Sequence, residues 1–136
     1  MRSAPPLALL LAFALASNAA EDAGPTRLAD RCSPGTQIDM HECIARAVAV
    51  AEARMNDRYG LLIRSLSDPR LLKQSQTHWL SYRTATCSYV ASGYDSPGGM
   101  HSVSVGICRA ELAERRAKEL EEFSSWSCNG CPPRKQ

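Results

Sequence analysis

Two long helical stripes in this chain are separated by almost nothing. From Met40 the positions Ile44, Val48, Ala51, Met55, Tyr59, Leu62 and Leu66 recur at three- and four-residue spacing, the mark of one buried helix face. From Leu72 a second series, Gln76, Trp79, Arg83 and Cys87, keeps the same spacing. Between the two stand Asp68, which can accept from the free N–H groups of a helix start, and Pro69, whose missing donor costs nothing in a first turn. Upstream, Thr36 fits an N-cap, with Asp39 three residues on, where an acid suits the helix dipole. A connection this short predicts an antiparallel helical hairpin.

The second stripe is unusual in chemistry. It puts an aliphatic, an amide, an indole, a guanidinium and a thiol on one face, so the facing helix must supply polar partners. With the turn near 67–68, residues whose numbers sum to about 135 lie at one level. Glu52 then falls opposite Arg83, and Asn56 opposite Trp79. The expected result is a half-buried network of Glu52, Asn56, Gln76 and Arg83, roofed by Trp79 and Tyr59. A paired arginine inside a small domain adds specificity more surely than net stability.

After Val90 the pattern breaks. Residues 91–104 are rich in Gly and Ser and hold one Pro. They read as a long loop presenting Tyr94, Asp95, Ser96 and His101, the candidate target-binding residues. A third helix is expected over 105–123, with Ile107, Leu112, Leu120 and Phe123 as a thin apolar face. Its outer side would carry the pairs Glu111–Arg115, Glu114–Lys118 and Lys118–Glu122. Such a helix would lie as a lid on the hairpin. Residues 124–136 form a tail with no regular structure expected beyond a turn.

Residues 1–20 have the form of a secretory signal: Arg2, an apolar run from Leu7 to Ala16, then small residues. The run is too short to span a bilayer, and no transmembrane segment is expected elsewhere. Residues 21–35, broken by Pro25, Pro34 and Gly35, read as an extended arm pinned at Cys32. All six cysteines, Cys32, Cys43, Cys87, Cys108, Cys128 and Cys131, follow the signal, so an exported, disulfide-bonded protein is expected, periplasmic or secreted. Signal removal takes Arg2 and no acid, leaving 15 basic against 14 acidic residues. That balance argues against nucleic acid as a partner.

No catalytic constellation, cofactor motif or metal-ligand spacing is present. His41-Glu42 lacks the second histidine of a zinc-hydrolase helix, and Cys128-x-x-Cys131 lies in a Pro-rich tail with no second such pair. A local tail disulfide is its default reading. The residues favour a binding module over an enzyme.

With these motifs in view, the chain resembles the LprI-like lysozyme-inhibitor family of small exported bacterial proteins. The likeness runs from Cys32 through T-Q-I-D-M-H-E-C (Thr36 to Cys43) and E-A-R-M-N-D-R-Y (Glu52 to Tyr59). It continues in Gln76, the W-L-S-Y-R-T-A-T-C block (Trp79 to Cys87), Cys108-x-x-x-Leu112 and Arg116-x-x-x-Leu120. The family usually has Asp where this chain has Glu52, which keeps a partner for Arg83. The resemblance implies an all-α, disulfide-stapled domain over 36–123 and a protein partner, lysozyme. The alternative is a structural or stress-related envelope protein that binds another periplasmic component, since the shared residues look like scaffold. Four framework cysteines allow three pairings. Depth in the bundle favours Cys32–Cys87 with Cys43–Cys108, and Cys43–Cys87 also lies within reach.

Overall fold

The computed structural model describes residues 27–94 and 99–135. The signal-like segment 1–20, most of the arm, and Asp95 and Ser96 of the α3–α4 connection lie outside the described residues. Four helices follow in order: α1 (Leu28–Cys32), α2 (Gln37–Ser65), α3 (Arg70–Val90) and α4 (Gly99–Ser125). The fold is all-α and stapled by disulfides, as the spacing predicts.

α2 begins where its capping residues place it, while α3 starts one residue later than expected, at Arg70 with Pro69 in the N-cap place. Thr36 accepts from the backbone N–H of Asp39 at 3.2 Å, and the Thr36 N–H donates to the Asp39 carboxylate at 2.8 Å, closing a capping box. These bonds hold the Asp39 carboxyl below its usual value. At the corner, Asp68 accepts from the Arg70 backbone N–H at 3.0 Å and from the Arg70 guanidinium at 2.7 Å. That pairing pulls the Asp68 carboxyl down to about 2 and raises Arg70.

Several expectations are corrected. The arm is not extended throughout: 28–32 form a short helix whose Leu28 and Cys32 are buried. The third helix begins at Gly99, so the connection after α3 is much shorter than 91–104. Nor is that helix a lid. Val103, Ala110, Ala113, Ala117 and Leu120 of α4 are buried against Ile44, Ala51, Met55 and Leu62 of α2 in one core. α3 packs on α4, and the backbones of α2 and α3 approach each other only sparsely. The hairpin partners are thus joined chiefly through α4.

Small residues explain this close approach. A Cβ on Gly106 would lie 2.4 Å from Cγ2 of Ile44, so only glycine permits the spacing there. The expected pairs within α4 do not form. Instead Glu114 accepts from Arg54 at 2.8 Å and Glu121 from Arg58 at 3.3 Å, both across to α2. These offsets show α2 and α4 running parallel.

The cysteine pairing is corrected as well. The disulfides are Cys32–Cys43, Cys87–Cys108 and Cys128–Cys131. Depth along the bundle does match Cys43 to Cys108, but Cys108 shares with Leu112 the face of α4 that meets α3. Each framework bond therefore joins elements adjacent in the chain. Only the local tail disulfide matches the expectation.

The tail folds back on the α2–α3 corner. Ser67 N–H donates to the Pro133 carbonyl at 3.0 Å and Lys135 N–H to the Ser65 carbonyl at 2.9 Å, giving a single antiparallel bridge between Leu66 and Arg134. The Arg134 guanidinium donates to Ser65 Oγ and to the Phe123 carbonyl, each at 2.6 Å.

Candidate functional site

The predicted polar seam is present in part and is larger than predicted. Arg83 of α3 donates to Glu52 Oε1 of α2 at 2.9 Å, at the level the sum of 135 requires. Arg109 of α4 donates to the same oxygen at 2.6 Å. Glu52 therefore ties three helices together. Asn56 is exposed and takes no part, because α4, rather than α3, packs closely along α2.

Gln76 is buried as the second stripe requires, but its partners are different. Its amide donates to the Met55 sulfur at 3.7 Å, and its oxygen accepts from Arg116 Nε at 3.0 Å. Arg116 is only 4% exposed. Its other nitrogens donate to Glu119 at 2.6 Å and Ser75 at 3.2 Å. Trp79 is half-buried between the two arginines, with the Arg83 guanidinium 5.2 Å and the Arg116 guanidinium 5.8 Å from its ring centroid. Tyr59 is half-buried against the main core.

Sequence reasoning missed Arg109 and Arg116. The signal was available for Arg116, since Cys108, Leu112, Arg116 and Leu120 recur at four-residue spacing, so the arginine shares a face with buried residues. Chemically the seam is closed. Its carboxylates and guanidinia already bind one another, and no buried side-chain polar atom among the described residues lacks a partner. Such an arrangement orients helices and offers no free acid, base or nucleophile. Among the described residues no group of His, Cys, Asp or Glu could hold a metal ion.

The candidate target-binding residues separate. Tyr94 is exposed in the turn that follows α3, where its N–H donates to the Ala91 carbonyl at 3.1 Å. His101 is not in a loop: it lies in the first turns of α4, half-buried, lining a cleft with His41 and Arg109. Asp95 and Ser96 lie outside the described residues. Tyr89 and Val90 in the last turn of α3 and Met100 at the start of α4 are exposed on either side of the connection.

No helix of the described residues is long and apolar enough to cross a membrane. No curated protein and no solved structure matches the chain. A family model described as lysozyme inhibitor LprI matches residues 29–120, a span that includes α1, the seam and both framework disulfides. Over two-thirds of its length, then, the chain carries the pattern of that family, and it belongs to the LprI lysozyme-inhibitor family.

Proposed function

We propose that this protein is an exported, non-enzymatic inhibitor of lysozyme that meets its target around the α3–α4 connection. The family match over residues 29–120 is the observation that carries the reading. Export is supported by the signal-like segment 1–20 and by three disulfides, which persist in oxidising compartments such as the periplasm or the extracellular space. The role of an inhibitor rather than an enzyme is supported by the family match.

The contact surface is chosen for its chemistry. Tyr89, Val90, Tyr94 and Met100 are exposed apolar side chains close together in the chain. An aromatic ring there can occupy a sugar-binding cleft, and the adjoining Asp95 can accept from the protonated catalytic acid of a retaining glycosidase.

The test is lysis of a peptidoglycan suspension by lysozyme, with and without the purified oxidised protein. A dose-dependent block is expected, weakened about tenfold in the double variant Tyr94→Ala/Asp95→Ala, as for loss of an interface anchor. No block at large molar excess over several lysozyme types would end the inhibitor reading. A block unchanged by the double variant would remove the contact surface alone.

A further inference from the structure

The five-residue α1 is fixed more firmly than its length requires. The Cys32–Cys43 disulfide ties it to α2, and Leu28 is buried in the main core. So held, α1 walls one side of a groove of about 700 Å³ over the α2–α4 seam. The floor is carbon: Leu28, Ala47, Val50, Ala51 and Ala110. Val50 is 65% exposed, an apolar side chain with nothing of the described chain over it.

The rim is basic. Arg27 and Arg31 come from the start and end of α1, Arg46 from α2 and Arg115 from α4. Two acids stand among them, and one, Glu114, is already engaged by Arg54. Arg46 leans on Glu42 at 3.4 Å, while Arg27, Arg31 and Arg115 form no salt bridge among the described residues. Guanidinia gathered over an apolar floor select a ligand with an anionic head and a carbon body. A neutral sugar leaves the arginines unused. A bare polyanion leaves the floor uncovered.

We propose that this groove binds a single-chain anionic amphiphile, one hydrocarbon chain ending in a single carboxylate or phosphate. The chain lies along Val50 and Ala110, and Arg31 and Arg115 hold the head. The groove is separate from the surface proposed to meet lysozyme, because α4 lines it with Ala110, Glu111, Glu114 and Arg115 while Cys108 and Leu112 face α3.

The experiment is calorimetric titration of the full oxidised protein with laurate and with dodecyl phosphate, each below its micelle-forming concentration. Inorganic phosphate, a zwitterionic single-chain lysophosphatidylcholine and phosphatidylglycerol vesicles are the comparison arms. One-to-one binding of both anionic amphiphiles is expected, with no binding of phosphate and about tenfold weaker binding of the zwitterion, the effect of replacing an ion-paired head. Arg31→Glu and Arg115→Glu should each weaken binding by about tenfold or more, and Val50→Asp should abolish it with the thermal melt unchanged. The proposal is overturned by absent binding, by equal affinity for the zwitterion, by phosphate binding as well as dodecyl phosphate, by binding to vesicles alone, or by affinities indifferent to these substitutions.

Discussion

Arg116 on α4 donates its Nε to the side-chain oxygen of Gln76 on α3 at 3.0 Å, and both residues are buried. This bond joins the two helices beneath Trp79, whose ring also faces the same guanidinium. Arg116→Met removes the donor and leaves the Gln76 oxygen buried without a partner. A loss of about 2 kcal/mol is expected by urea unfolding, the cost of leaving a buried polar atom unsatisfied. Gln76→Leu/Arg116→Met removes both partners and should cost less than Arg116→Met alone. A double variant less stable than the single would show that the polar bond is not what makes the site costly.

Gly106 carries a prediction that runs against helix propensity. Alanine at a mid-helix position usually gains about 1 kcal/mol over glycine. Here its Cβ would meet Ile44 Cγ2 at 2.4 Å, a branch methyl fixed in the core. Gly106→Ala should therefore destabilise by about 1–2 kcal/mol, the overpacking cost exceeding the propensity gain. In an Ile44→Ala background the same change should become neutral or favourable, a coupling that thermal or urea melts of the four proteins would measure.

The two kinds of disulfide should differ in what they hold. Cys87–Cys108 joins buried residues 21 apart in sequence and clamps the end of α3 to α4. Cys87→Ala/Cys108→Ala should lose about 3 kcal/mol, from the loop-closure entropy restored to the unfolded chain. Cys128–Cys131 spans only three positions at the surface. Its removal should leave global stability nearly unchanged while raising hydrogen exchange at Lys135, whose N–H bonds to Ser65.

Acid should weaken the helix starts in a defined window. Asp39 and Asp68 both have carboxyl groups held below their ordinary value by donors that favour the charged form. A depressed carboxyl stabilises the fold above its unfolded value, and that stabilisation is lost as pH falls through its folded value. For Asp68 the window runs from about 4 down to about 2. Asp68→Asn should therefore show a flatter fall in melting temperature across that window than the parent protein. Both groups are exposed, so the difference will be small. Identical pH profiles would exclude the contribution.

Much of the fold is legible in the chain because its instructions are local. Thr36 and Asp39 cap α2 as their spacing predicts, and Asp68, one residue ahead of the Pro69 cap, accepts from the first N–H of α3. The register of the hairpin follows from a short turn and a fixed rise per residue, and it puts Glu52 on Arg83 correctly. α4 was harder to read, because its close face is built from Gly106, Ala110, Ala113 and Ala117. Small side chains contribute little apolar signal, yet they allow the nearest approach of two backbones.

The sequence by itself determined where α2 and α3 lie, that they fold back through Asp68 and Pro69, and that Arg83 needs a carboxylate. Those outcomes depend on hydrogen bonds and periodicities within a few residues. Only the tertiary structure decided that α4 is the central helix, that Arg109 and Arg116 turn inward, and which cysteines pair. These depend on the rotation of one helix against another. Cys43 and Cys108 lie at similar depth on parallel helices, but Cys108 faces α3, and rotation rather than depth decides a disulfide. Rotation in turn is set by packing of the whole core, where one glycine against one isoleucine fixes the spacing.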